Sequence, residues 1–436
     1  MELLDRLFEL RRRGTTVGTE VVAGATTFMV MAYILFVNPI ILGEVGLPRE
    51  QTAAVTALAA GVMSIAMGLY ANMPIALASG MGLNAAVAFT LIAGLKLSAE
   101  QAMAVVFWEG IIITLLVLTR VRIAIFRAIP MALKRAIGVG IGLFIALIGA
   151  AQAGLVQAGQ APGVPITVDL DLGKPVTIVA ILGLFVTSAL LALRVKAGIL
   201  LGIVITTVIG TFFGLTKAPS ALVALPDFSQ VGNIDFGVIV QASLWPAIFA
   251  FLIADFFDTM GTMVSVAGEA KLLSPTGEVP RGNRVLLVDS LAAAFGGLLR
   301  ASSVTSYIES AAGVAEGGRT GLTSVVTGLI FLACIFIAPL AGIVPAAATA
   351  PALIVVGFYM MTVVRDIPWD DFTEALPAFV TLLFIPITFS ITRGIGYGFI
   401  AYTVLMLLSG KGGRVHPLMY AVSVAFAISF GWVRVL

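Results

Sequence analysis

Three carboxylates stand inside stretches apolar enough to be hydrocarbon: Asp255 and Asp258 in PAIFAFLIADFFDTMGTMVSV, and Glu309 in ASSVTSYIESAAGVA. A carboxylate at the bilayer centre costs about 2.5 to 3.5 kcal/mol on insertion scales, so such groups normally face the protein interior and mark a substrate or proton path. Asp255, Asp258 and Thr262 fall at i, i+3 and i+7, the spacing of one polar stripe on a helix. Desolvation and a second carboxylate one turn away both disfavour ionisation, which suits groups that take up and release a proton.

The stretch around Glu309 begins with the polar, β-compatible SSVTSY and reads as helical only after Ile308. Glu309 therefore opens a half-helix, where free backbone N–H groups and the dipole favour negative charge or a ligand's acceptor atoms. A second interruption, Gly80-Met81-Gly82, precedes Asn84-Ala85-Ala86, and set side by side Asn84 and Glu309 mark equivalent positions. Two half-helix starts facing each other offer backbone donors, the Asn84 amide, and acceptors on Glu309 and Asp258. That set fits a flat heterocycle carrying both N–H donors and carbonyl or ring-nitrogen acceptors. Tyr307 is a candidate to close over such a ring, with Phe358 or Tyr359 as its counterpart, although aromatics at this spacing are more often core. Glu20, Asp289 and Glu374 read as interfacial charges and Glu109 as a contact between helices.

The elements that must position these groups are transmembrane helices. Hydrophobic residues make up 60% of the 436 and charged residues 11%, with a mean hydropathy of +1.10, where soluble chains carry about 25% charge. Seven apolar runs, numbered in chain order, fall at approximately 20–42, 52–71, 74–94, 101–119, 135–157, 175–193 and 197–215, and the eighth to fourteenth at approximately 240–264, 284–299, 302–315, 320–341, 347–364, 371–391 and 394–410, with residues 1–19 ahead of them and an apolar tail over 411–436. The third run (74–94) is glycine-interrupted and the tenth (302–315) is short; matching broken helices in two halves point to an inverted-repeat transporter and to its binding site. With the N-terminus inside, 18 Lys and Arg fall in inner connections and six in outer ones, in keeping with fourteen spans and a cytoplasmic N-terminus.

Several features are read as structural. MELLDRLFELRRRGTT lacks an adjoining small-residue cleavage site and reads as a cytoplasmic amphipathic lead-in. Arg120 to Arg135 suits an interfacial helix. Ile137–Gly142, with alternate glycines, allows close helix approach or dimer contact and lacks the context of a phosphate loop. Cys334 cannot form a disulfide within the chain, and His416 reads as a headgroup-level residue. The tail PLMYAVSVAFAISFGWVRVL is expected to pack on the surface or re-enter. The net charge of +2 follows membrane topology and implies no nucleic-acid partner.

The wording of the chain resembles a known family. TTFMVMAYILFVNP, ASGMGLNA, DFFDTMGT and TSYIESAAGVAEGGRTGLTS are similar to the nucleobase permeases of the nucleobase–ascorbate transporter superfamily, nearest the hypoxanthine, adenine and guanine branch. The resemblance implies an all-α membrane protein: fourteen segments as a seven-plus-seven inverted repeat, a core domain moving against a gate domain, and proton-coupled import into the cell across the inner membrane. It further implies a homodimer in the bilayer, no enzyme activity, no metal and no cofactor beyond the coupling proton. Carried over residue by residue, Asp258, Glu309, Gly82 and Asn84 look like substrate contacts, with Met81, Tyr307 and Ile308 beside them. Asp258, Glu309 and Asp255 are the candidates for proton coupling. Where uracil carriers place a histidine one turn after the eighth-helix carboxylate, this chain has Thr262, which favours a carboxylate as proton carrier. An anion exchanger or channel on the same scaffold is the competing reading, and a membrane-embedded aspartyl hydrolase a more distant one.

Overall fold

Every apolar run becomes a helix or a broken helix in the computed structural model, which describes residues 2–119, 128–159, 166–168, 171–216, 218, 221–274 and 278–432. Among the described residues, ten helices are long and apolar enough to cross a membrane, and Met81–Gly94, Gly198–Phe212, Phe372–Ile387 and Pro417–Gly431 are shorter apolar helices. The chain is an all-helical membrane protein carrying two short strand pairs. Of the interfacial helix expected over Arg120 to Arg135, residues 120–127 lie outside the described residues.

The helices pack as two groups, each drawn from both halves of the chain. Segments one to four pack with eight to eleven, and segments five to seven with twelve to fourteen. Small residues let the second group close up: a Cβ on Gly142 would stand 2.8 Å from the Gly357 carbonyl, and one on Gly357 would collide with Gly142 in turn. Gly140 and Gly142 of the fifth segment thus serve helix approach within the chain.

The two broken segments meet in the first group. Leu77–Ser79 pairs antiparallel with Val304–Ser306, Leu77 opposite Ser306 and Ser79 opposite Val304. The ladder is prolonged by Gly80 N–H to the Ser303 carbonyl (2.8 Å) and Tyr307 N–H to the Ala76 carbonyl (3.0 Å). All six paired residues are buried. Unwound backbone at membrane depth must satisfy its polar groups within the protein, and these two segments do it with each other. Short helices follow, Met81–Ala85 capped by Gly80 and Ser310–Ala315 capped by Glu309. The first continues as a wider, π-type turn over Ala86–Gly94.

This register corrects one expectation. Counted from the paired strands, Gly82 answers to Glu309; counted from the helix starts, Gly80 does. Asn84 lies two to four residues too far along because the first half-helix starts before Gly82 rather than after it.

Two charges read as interfacial are buried structural groups. Glu20 is fully buried and caps the eleventh segment, its Oε1 accepting from Arg319 N–H (2.9 Å) and its Oε2 from Thr320 N–H (3.3 Å), Thr323 N–H (3.2 Å) and the Thr323 hydroxyl (2.6 Å). It satisfies N–H groups that a helix start leaves without intrahelical partners. Asp289 is the other, and it belongs to the site. Glu374 is half-buried.

The tail forms a helix, Pro417–Trp432, running antiparallel along the fourteenth segment. The Thr403 and Ser423 hydroxyls meet at 2.7 Å, and the Tyr397 and Phe430 ring centroids lie 5.1 Å apart. His416 sits just ahead of it, its Nδ1 accepting from Leu418 N–H at 3.2 Å. The connection between the fifth and sixth segments holds the second strand pair, Val156–Ala158 with Ile166–Val168.

Candidate functional site

The eighth-segment helix, Trp245–Glu269, carries two different polar faces. At 3.6 residues per turn, a step of three residues falls about 60° short of a full turn. Asp255, Thr259, Thr262 and Val266 are buried on one face, while Asp258, Gly261 and Ser265 are exposed on the next. The single stripe expected for Asp255, Asp258 and Thr262 is therefore split. A Cβ on Gly261 would meet nothing within 4 Å, and the same holds for Gly138 on the fifth segment. Asp258 thus stands in an open cleft that continues toward the C-terminal end of its helix.

Glu309 joins it from the tenth segment, half-buried and close enough for the two charges to interact. Its carboxylate does not cap the helix that it opens. Instead the Tyr33 hydroxyl donates to Glu309 Oε1 at 2.5 Å. Tyr33 lies at the break between Val17–Met31 and Ile34–Gly43 in the first segment, with 1% of its surface exposed.

Behind this pair, Asp289 of the ninth segment fastens the eighth helix to the broken tenth. Its Oδ2 accepts from the Thr259 hydroxyl (2.6 Å), and its Oδ1 from the Ser306 N–H (2.8 Å) and hydroxyl (2.7 Å). Thr259 also meets the Thr305 hydroxyl at 2.9 Å. A buried carboxylate supplied with three donors is compensated in the way that burial requires. Glu109 of the fourth segment is fully buried and accepts from the Ser303 hydroxyl at 3.2 Å, so its contact is with the unwound start of the tenth segment rather than with another helix. Asp255 lies within electrostatic reach of Asp289, Glu109 and Asp258. Neither of its oxygens has a hydrogen-bond partner among the described residues.

Nearly the whole length between the first and fourteenth segments, residues 18–397, matches the Permease family. This chain belongs to that family.

The permease is 42% identical to the adenine permease AdeQ of Escherichia coli over 426 residues, which cover 98% of this chain and 95% of that one. It is 41% identical to the guanine/hypoxanthine permease PbuG of Bacillus subtilis over 441 residues, covering 98% and 99%. Its motifs thus sit in the nucleobase–ascorbate transporter superfamily, among transporters rather than enzymes. In fold it is similar to the transmembrane domain of a cyanobacterial bicarbonate transporter, BicA, with a TM-score of 0.62 at 17% identity over 87% of this chain and 97% of that one. SLC26A9 is similar as well, with a TM-score of 0.63 at 12% identity over 90% of this chain and 65% of that one.

The remaining candidates in the permease take different places. Met81 is buried at the start of its half-helix, and Gly82 packs directly on Ile141 of the fifth segment, where any side chain would collide. Asn84 is fully buried, its amide donating to the Ser79 carbonyl at 3.5 Å and its Oδ1 without a partner among the described residues. Tyr307 is buried within reach of Glu309 and Asp258, with its hydroxyl donating to the Ser79 carbonyl at 2.6 Å. That bond fixes the ring against the paired strands. Ile308 is half exposed. Phe358 and Tyr359 are exposed and pair with each other at 5.6 Å. Two surface cavities, about 430 Å³ beside Gln51 and Asp227 and about 260 Å³ beside Glu374 and Lys411, include neither Asp258 nor Glu309.

Tyr33 and Thr259 are groups that sequence reading passed over, and Asp289 is one that it placed at the interface. A tyrosine in an apolar helix needs a partner for its hydroxyl, and that was the one signal available for Tyr33.

Proposed function

We propose that this permease imports the purine nucleobases hypoxanthine, adenine and guanine by proton symport with alternating access. The observation that carries the reading is the cleft carboxylate pair, Asp258 exposed and Glu309 half-buried, in a chain about 40% identical along its length to adenine and guanine/hypoxanthine permeases. Two acceptor groups beside backbone from a broken helix suit the N–H edges of a purine. The coupling ion is a proton on Asp258 or Glu309, with Asp255 behind them and no other cofactor.

The two packing groups are the core (segments one to four and eight to eleven) and the gate (five to seven and twelve to fourteen), formed by two inverted repeats over 20–215 and 240–410. Rigid-body movement of one group against the other around a midplane site is the behaviour expected of such repeats. With a cytoplasmic N-terminus in the inner membrane, the exposed face from Asp258 through Gly261 to Ser265 leads to the cytoplasm, so the site is open inward. We take the working unit to be a homodimer in the bilayer.

Gly261→Cys in a Cys334→Ser background is then expected to react with a membrane-impermeant thiol reagent added from the cytoplasmic side, and to be protected by hypoxanthine. Labelling from the outside alone, indifferent to substrate, overturns the inward-open assignment.

Coupling has its own test. Purine uptake is expected to rise as external pH falls, because protonation outside loads the carrier, and to collapse with a protonophore. Sodium-dependent uptake indifferent to pH is the contrary result.

An anion exchanger or channel is the second reading, favoured by the likeness in fold to a bicarbonate transporter. Against it, Glu309 puts a carboxylate where an anion would sit at the half-helix start. Isotope flux comparing hypoxanthine with sulfate and bicarbonate separates the two.

A further inference from the structure

Glu309 is the one cleft carboxylate with a tyrosine hydroxyl committed to it. The partner comes from 276 residues away, on a different segment, and is itself 1% exposed. A hydroxyl at 2.5 Å from a carboxylate oxygen is a charge-assisted contact, shorter and stronger than a neutral one. It occupies lone-pair capacity on Oε1 and restricts rotation of the carboxylate about its last bond. Oε2 is left as the freer acceptor, on a side chain that is itself half-buried beside Asp258. The break in the first segment at Ala32 and Tyr33 brings the ring to this depth without a charged residue.

We propose that Tyr33 is a specificity-determining positioning residue, which makes Glu309 a one-oxygen acceptor and thereby sets how the site ranks purines by their donor edges. This rests on the proposed nucleobase site. A carboxylate with both oxygens free accepts a pair of adjacent N–H donors, as an ionised carboxylate does from a guanidinium fork. Guanine presents such a pair, its N1–H beside its exocyclic amine. Hypoxanthine presents N1–H alone. With Oε1 held by Tyr33, the two bases meet the same single acceptor, and the advantage of guanine's second donor is withheld.

The test is Tyr33→Phe, which removes only the hydroxyl, measured by equilibrium binding of hypoxanthine and guanine to the purified full-length protein, alone and combined with Glu309→Gln. The expected result is a guanine Kd that falls by about tenfold relative to the hypoxanthine Kd, because the freed Oε1 accepts guanine's second donor in a hydrogen bond to a charged group. Against Glu309→Gln the same substitution should change either Kd by less than about twofold, since residues that act through one another are non-additive. A merely structural tyrosine would weaken both bases equally and in both backgrounds, and that pattern overturns the proposal, as does a guanine-to-hypoxanthine Kd ratio unchanged by Tyr33→Phe. If Glu309→Gln by itself leaves binding of both bases intact, the failure is that of the site reading rather than of Tyr33.

Discussion

Asp258→Asn is expected to abolish concentrative uptake of hypoxanthine, whereas Asp255→Asn slows transport and leaves equilibrium binding largely intact. The two aspartates are three residues apart on one helix, yet only Asp258 is exposed, on the face that includes Gly261, where a Cβ would find open space. Asparagine at Asp258 keeps the shape and one acceptor but cannot take up and release a proton, so either the substrate bond or the coupling step is lost. Asp255 is fully buried behind the Asp289, Thr259 and Thr305 cluster and touches the cleft only through space. Among the described residues its carboxylate has only Thr305 near enough to interact as a hydrogen-bond donor, and the amide, of the same shape, fits the same space at little cost. Binding and accumulation measured on both purified variants in parallel decide the matter. Should Asp255→Asn destroy binding while Asp258→Asn accumulates substrate normally, the two roles are exchanged.

The positions of the apolar helices were legible in the sequence because the bilayer demands long apolar runs and little else satisfies that demand. The broken tenth segment was legible for a related reason: Ser302 to Ser306 is too polar and too short to be an ordinary span, and Ser310–Ala315 begins where its small residues do. What escaped was whatever depends on contacts distant along the chain. Glu20 looked interfacial because its four donors lie some 300 residues away, on the eleventh segment. Asp289 looked interfacial because nothing near it in the chain announces Thr259 or Ser306. Asp255 and Asp258 looked equivalent because a spacing of three leaves either residue free to lie at the centre of a polar face. Asn84 was matched to Glu309 by placing the first half-helix after the glycine break, and the strand register and the helix start at Met81, which sequence does not reveal, move the match to Gly82 or Gly80.

Glu309→Gln is expected to weaken purine binding by about tenfold or more in the purified protein. Glutamine keeps the volume of the side chain but turns two acceptor oxygens into one acceptor and one donor group. A phenol hydroxyl both donates and accepts, so the amide can sit either way round: with its oxygen on Tyr33 it turns its NH2 toward the purine N–H, and with its NH2 on Tyr33 it offers the purine a neutral oxygen in place of a charged one. The charge-assisted bond that is lost is worth roughly 1.5 to 3 kcal/mol, and each 1.4 kcal/mol is about a factor of ten in Kd. Because the bond to Tyr33 survives and the Glu309 side chain makes no helix-capping contact, thermal stability in detergent should stay close to that of the parent. Loss of affinity with an unchanged melting temperature identifies Glu309 as a group that touches the substrate. An unchanged affinity removes it from the site, and with it the cleft pairing of Glu309 and Asp258 on which the transport reading depends.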